Sequence, residues 1–225
     1  GAVERKRRSA IKLNRGVYWL ANHWVGLFNV LIAIYVGGAI LAPVLMQVGL
    51  PGPASTLYAL YRPFCHQYPF RSWFLFGDSA IHPLHEPIPI PEMNQMGTIV
   101  GSVEAGYKMA LCQRDIAIYL AMVVTGMAYG LVRKRIKIPT LPMWIFFAFG
   151  LMPMLLDGGI QWLSYAIWYL IPGVLEQPFE TVPTMRALTG SLFGAGVIAL
   201  GYPYLNEYFT DVLSILKQKY GWSAQ

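Results

Sequence analysis

The fold is decided first by residues 22–48, NHWVGLFNVLIAIYVGGAILAPVLMQV, which lie in a long stretch without a charged side chain between Arg15 and Arg62. A helix of about 20 apolar residues crosses the hydrocarbon core of a bilayer, and a longer one spans it with some tilt. The apolar core of a cleavable signal peptide is only about 7–15 residues long. The stretch therefore predicts an uncleaved first membrane span.

Three further apolar runs follow along the chain. They predict spans at about 112–133, 142–165 and 186–204. In the second of these three runs, Pro153 and the pair Gly158-Gly159 predict a kink or an early end of the regular helix. Two spans also carry glycines four residues apart, a spacing that lets helix backbones approach closely: Gly126 with Gly130 and Gly190 with Gly194.

Composition agrees with a membrane protein. The mean hydropathy is +0.45, 56% of residues are hydrophobic and 12% are charged, whereas about 25% charged residues are usual in soluble domains. These values exclude an ordinary soluble enzyme domain. The predicted fold class is all-α, an integral membrane bundle of four transmembrane helices with a long outer-face segment between spans 1 and 2.

The distribution of charge predicts the orientation. Twelve of the seventeen Lys and Arg residues precede the first span, lie between the second and third, or follow the fourth, in segments 1–21, 133–141 and 205–225. Basic residues close to spanning helices remain on the cytoplasmic side, so both termini are predicted to lie in the cytoplasm. The net charge of +6 is then explained by anionic lipid beside these segments, and a nucleic-acid partner is not expected.

The spans divide the chain into three parts. Residues 1–21 form a basic cytoplasmic N-terminus, residues 22–204 a single membrane domain, and residues 205–225 a cytoplasmic tail with the pattern of an amphipathic surface helix. The outer segment, 49–111, is aromatic-rich over Leu57–Phe76, which is typical of an interfacial or re-entrant element. Its proline-rich part, His82–Pro91, predicts an extended loop.

This topology brings polar residues from distant parts of the chain to one depth at the outer face. Ionisable groups near hydrocarbon usually face a bundle interior or a wet cavity and pair with each other. The first expected pair is Asp157 with Arg186, and the next is Asp115 with Arg71 or Arg114. The pairs could lock the bundle or form a functional site, and the predicted cluster comprises His66, Arg71, Arg114, Asp115, Asp157, Gln161 and Arg186.

The two cysteines, Cys65 and Cys112, are both predicted to face the outside. In an oxidising compartment they would form a disulfide. Free or redox-active thiols are a second interpretation. The third is a metal site, for which Cys65, His66, Cys112 and Asp115 offer suitable ligands. No other cofactor is expected.

The other histidines carry weaker signals. His23 lies near the inner end of the first span and could ligate a haem or a chlorin, although a lone histidine there is usually a hydrogen-bonding group. His82 and His85 lie in the proline-rich loop and are most simply solvated. The sequence contains no phosphate-binding glycine loop, haem-attachment motif, serine nucleophile elbow or paired zinc histidines on a helix.

Four blocks follow one another along the chain: Cys65-His66-Gln67-x-Pro69-x-Arg71-Ser72-x-Phe74, Cys112-x-Arg114 with Ile118-Tyr119, Pro153-Met154-x-x-Asp157-Gly158-x-x-Gln161, and Arg186-x-x-Thr189-Gly190-x-Leu192-Phe193-Gly194. Together they resemble an uncharacterised prokaryotic multi-pass membrane family, domain of unknown function 2085, over roughly residues 61–203. The sequence departs from the family pattern in two places. It has an insertion around His82–Met109, and Asp115 stands in place of the second cysteine of a Cys-x-x-Cys pattern. The resemblance implies a location in the prokaryotic cytoplasmic membrane.

Two classes of function follow. The first is a non-catalytic membrane subunit or accessory protein of a larger complex, for example an energy-transducing complex. The aromatic outer segment supports this hypothesis, because aromatic residues are enriched where subunits contact each other. The second is a thiol- or metal-dependent redox protein, or a small-solute transporter, that uses the outer-face cluster. A carrier should show broken helices in corresponding positions of two repeats, and only one predicted span contains an obvious break.

Overall fold

The computed structural model describes residues 2–82 and 98–222. It is mostly helical, at 71%. Among the described residues, four helical segments are long and apolar enough to cross a membrane, which confirms the predicted fold class. They are Glu4–Gln47, Gln113–Val132, Met143–Leu170 and Pro183–Tyr220.

The first segment belongs to helix α1, Ala2–Gln47. Its 46 residues are about 69 Å long at 1.5 Å per residue, roughly twice the hydrocarbon thickness of a bilayer. The predicted boundary between residues 21 and 22 is therefore not a helix boundary. The basic N-terminal segment continues the first span as a helical extension.

The segment between α1 and the second span forms a small subdomain. Helix α2, Pro51–Tyr61, packs against α1 around Val36, Ala39 and Tyr58. A short turn at Pro69–Arg71 leads to strand β1, Phe74–Leu75, which joins β2, Gly101–Ser102, and β3, Gly106–Lys108, in an antiparallel sheet of order β1-β3-β2. Most of the predicted proline-rich loop, including His85, lies outside the described residues.

Helix α3, Gln113–Val132, packs against both α1 and the long helix α6, Pro183–Tyr220. Small residues allow the close approach. A Cβ atom at Gly190 would lie 2.7 Å from the carbonyl oxygen of Arg114, and one at Gly194 would overlap the carbonyl oxygen of Ile118. Glycine is thus needed in α6 wherever the backbone of α3 crosses it.

The third span consists of α4 (Met143–Ile145), a π-helical turn (Phe146–Leu151) and α5 (Met152–Leu170). The irregular turn immediately precedes Pro153, which has no N–H and whose ring would clash with the carbonyl four residues earlier in a regular α-helix. The expected disturbance at Pro153 is therefore present. The helix continues through Gly158 and Gly159 without a break and ends beyond the predicted residue 165.

Residues 205–220, which belong to the predicted amphipathic tail, are helical and continue helix α6 directly. The helix runs unbroken through Pro203 to Tyr220. The physical reason is tertiary contact: the Asn14 side chain donates a hydrogen bond to the Tyr220 hydroxyl (2.7 Å), and the rings of Tyr18 and Trp222 pack edge to face. The tail therefore pairs with the N-terminal extension of α1.

The helices run alternately up and down, so the bundle has two ends. We call the end formed by residues 48–82, 98–112 and 171–182 the loop end. The opposite end, formed by residues 2–21, 133–142 and 205–222, holds the basic segments and is called the basic end.

Candidate functional site

At the loop end, Glu180 accepts hydrogen bonds from four side chains. Arg71 donates from Nε (3.2 Å) and Nη2 (2.5 Å), and the other donors are Gln161, Tyr165 and Arg186. The carboxylate therefore joins the outer segment, α5 and α6. The sequence analysis did not include Glu180 in the cluster, because Glu180 lies in the connection after α5, where an acidic side chain normally faces solvent.

Arg186, in the first turn of α6, is almost completely buried, at 3% exposure. Besides its ion pair with Glu180, it donates hydrogen bonds to the Gln113 side chain (3.1 Å) and to the carbonyl oxygen of Phe70 (3.3 Å). Its Nε donates to Thr181 (3.1 Å). A buried charge requires this many partners because desolvation is otherwise costly.

Asp157 pairs with Arg114 at 2.5 Å and accepts a hydrogen bond from Thr189 at 3.0 Å. The prediction that Asp157 pairs with Arg186 is thus wrong. The physical reason is the glycine packing: Gly158 and Gly190 leave room for the Arg114 side chain to reach Asp157 across the helix interface.

A second group lies beside this network. Cys65 follows α2, Cys112 is the N-cap of α3, and Asp115 lies in the first turn of α3. One ligand atom from each of these three residues lies within 4.8 Å of the other two. The Cys112 thiol donates to the Asp115 carboxylate at 3.1 Å, so the predicted pairing of Asp115 with Arg71 or Arg114 is replaced by a thiol contact.

The two cysteines carry free thiols in the structure. They lie 4.2 Å apart and are not bonded, whereas a disulfide has an S–S distance of about 2.0 Å. The predicted disulfide is therefore corrected to a pair of neighbouring thiols. Hydrogen bonding with the Cys112 thiol lowers the pKa of Cys65 despite its burial, and the same interaction together with burial raises the pKa of Cys112. Cys65 is thus the more acidic of the two thiols.

The predicted histidines do not join this group. His66 is exposed and its ring lies 5.4 Å from that of Tyr68, so its assignment to the buried cluster and to the metal ligands is wrong. The ring nitrogen Nδ1 of His23 hydrogen-bonds the carbonyl oxygen of Trp19 (2.9 Å). His82 makes the same kind of contact with the carbonyl oxygen of Ala105 (2.9 Å).

Buried polar residues of the loop-end subdomain were also missed. Lys108 is fully buried and its ammonium donates to the carbonyl oxygen of Gln67 at 2.5 Å. The Gln67 amide in turn donates to the carbonyl oxygen of Tyr58 (2.8 Å). Gln67 belongs to the first block of the family resemblance, but neither its burial nor that of Lys108 is visible in the sequence, because both result from the packing of the loop-end segments.

A cavity of about 620 Å³ opens beside Glu180 and Arg186. Its walls are mainly apolar, and its charged lining residues, Glu180 and Arg186, are hydrogen-bonded within the network. The other lining residues include Phe70, Ile81, Ser164, Phe179 and Val182.

These features define an integral membrane protein of several apolar helices with a buried ion-pair network and a thiol–carboxylate cluster at one end. The family model described as "Predicted membrane protein (DUF2085)" matches residues 103–200, which confirms the resemblance over that region. The chain is 28% identical over 153 residues to the uncharacterized protein MJ1492 of the archaeon Methanocaldococcus jannaschii, covering 67% of this chain and 69% of that protein. No solved structure matches the chain.

Proposed function

We propose that the protein is a non-catalytic subunit or accessory protein of a larger complex in the prokaryotic cytoplasmic membrane. The observation that supports this most is that the rest of the chain buries very little of the third span. Only 6% of its most apolar window is buried within the chain, against 22% for each of the first two described spans and 33% for the fourth. A span that is so little buried within its own chain has a free surface on which a helix of another subunit can pack.

The polar side of the third span supports the same proposal. Asp157, Gln161 and Tyr165 all bind partners within the chain. These groups fix the span against the rest of the loop end. Its apolar side, which includes Trp162, Leu163 and Leu170, is exposed.

Site-specific photocrosslinking in native membranes tests the proposal. A photoreactive amino acid at Trp162, which is 72% exposed, is expected to give a discrete adduct with another membrane protein. The matched control is Val124 on α3, which is 66% exposed and should give lipid adducts alone. Lipid adducts from both positions, together with purification of a homogeneous monomer in mild detergent, would contradict the subunit proposal.

Thiol or metal chemistry is the second candidate, and the unbonded pair Cys65 and Cys112 supports it. Small-solute transport has weaker support. The irregular turn at Phe146–Leu151 interrupts one span, whereas carriers built from inverted repeats have broken helices in corresponding positions.

A further inference from the structure

We propose that Cys65, Cys112 and Asp115 bind a thiophilic divalent cation, with Zn²⁺ as the best match to their chemistry. This inference does not depend on the subunit proposal. The three residues come from two segments of the chain that meet at the loop end, and their ligand atoms all lie within 4.8 Å of one another.

The distances fit a tetrahedral ion. With Zn–S bonds of about 2.3 Å, two thiolates on one tetrahedral Zn²⁺ lie about 3.8 Å apart. Cys65 and Cys112 lie 4.2 Å apart, so a closure of about 0.4 Å brings both to an ion. The Cys112 sulfur and the Asp115 carboxylate are 3.1 Å apart, so they would separate by about 0.4 Å to reach the spacing of about 3.5 Å on a tetrahedral ion.

The ligand types select the metal. Thiolates favour Zn²⁺ and other soft or borderline ions, whereas Mg²⁺ and Ca²⁺ require oxygen ligands. Two thiolates and one carboxylate give three protein ligands, the number found in zinc sites that keep a fourth position for water or a substrate.

The framework holds the ligands without a metal. The amide of Cys65 donates to the carbonyl oxygen of Tyr61 at 3.1 Å, at the end of α2. Cys112 caps α3, and Asp115 follows three residues later on the same helix face. The partial positive charge at this helix terminus offsets part of the negative charge of the ligands.

The three ligands differ in burial. Cys65 is buried, whereas Cys112 and Asp115 are partly exposed. With three protein ligands, such a site resembles an open zinc site more than a closed structural one.

Metal titration of the full chain tests the proposal directly. The protein is purified in detergent under reducing conditions, stripped with a chelator, reloaded with Zn²⁺ and desalted. Elemental analysis is expected to give one Zn²⁺ per chain. Co²⁺ in place of Zn²⁺ should give tetrahedral visible bands and a thiolate-to-metal charge-transfer band, and Zn²⁺ should protect both thiols from alkylation.

Variants then assign the ligands. Loss of a residue that only hydrogen-bonds a metal ligand lowers metal affinity about 10–100-fold. Because Cys112 is proposed as a ligand itself, Cys112→Ser should weaken Zn²⁺ binding by more than about 100-fold. His66→Ala, next to Cys65 but exposed, is the matched control and should leave affinity unchanged. Asp115→Cys keeps a ligand at that position and should retain the stoichiometry while increasing the charge-transfer intensity.

Three results would overturn the assignment. The first is wild-type protein that binds less than stoichiometric Zn²⁺ under reducing conditions. The second is an equal loss of affinity in His66→Ala and Cys112→Ser. The third is a Cys65–Cys112 disulfide in protein alkylated directly in native membranes, since oxidised sulfurs cannot bind the ion.

Discussion

Replacement of Glu180 by glutamine is expected to destabilise the fold by about 3–5 kcal/mol, the usual effect of removing one partner of a buried ion pair. The substitution keeps the size of the side chain and removes its charge. Arg71, which is partly buried, and Arg186, which is buried, both pair with Glu180 and would then remain as neighbouring cations without a carboxylate. Arg186 cannot move into water easily because its side chain is only 4% exposed.

The control for this substitution is Glu176→Gln, in the same connection but exposed. It should change stability by less than about 0.5 kcal/mol, as is usual for surface positions. Unfolding of both variants in detergent, followed by tryptophan fluorescence, gives the comparison. Equal stability of the two variants would show that Glu180 does not hold the loop end together.

Substitution of Gly194 by alanine is expected to be the second most damaging change. The new Cβ would overlap the backbone of α3 at Ile118, and backbone cannot rotate away as a side chain can. Forcing extra atoms into a packed interface costs about 1–3 kcal/mol. This loss exceeds the gain of about 0.5–1 kcal/mol that alanine normally brings to a helix.

Gly201 provides the matched control because it lies on the same helix and a Cβ atom added there would meet no atom within 4 Å. Gly201→Ala should therefore be neutral or slightly stabilising, opposite in sign to Gly194→Ala. Thermal unfolding in the same detergent distinguishes them. A destabilisation of the same size at both positions would mean that close contact between α3 and α6 is not the cause.

The spans were predictable from sequence because the hydrocarbon core imposes a length and an apolar composition on any helix that crosses it. Helices α1 and α6 extend past the span limits predicted at residues 22 and 204. Hydropathy does not reveal this extension, because the extension of α1 pairs with the tail of α6 through polar side chains, Asn14 and Tyr220.

The polar cluster was predictable only in part. The positions of Asp157, Arg114 and Arg186 along the predicted spans indicated that they lie at a similar depth. Which of them form ion pairs depends on how each helix is rotated about its axis, which the sequence does not show. The glycines at 158 and 190 decide that Arg114 reaches Asp157. Glu180 escaped prediction because an acid in a connection between spans normally faces solvent.

The cysteines show a different limit. The sequence left three interpretations of Cys65 and Cys112 open, namely a disulfide, free or redox-active thiols and a metal site, and the first and third require that the two residues lie close together. The structure has unbonded thiols close to Asp115. The chemical state in the cell depends on the redox compartment and on metal supply, which the order of residues does not encode.

The distribution of basic residues predicts that the loop end lies outside and the basic end in the cytoplasm, and the proposals for both ends depend on this topology. Single cysteines at Val103, Val174 and Ile136, which are 74%, 59% and 64% exposed, are placed in a chain with Cys65 and Cys112 replaced by serine. A membrane-impermeant maleimide should label positions 103 and 174 in intact cells and position 136 only after permeabilisation. Labelling of position 136 together with position 103 in intact cells would contradict the account.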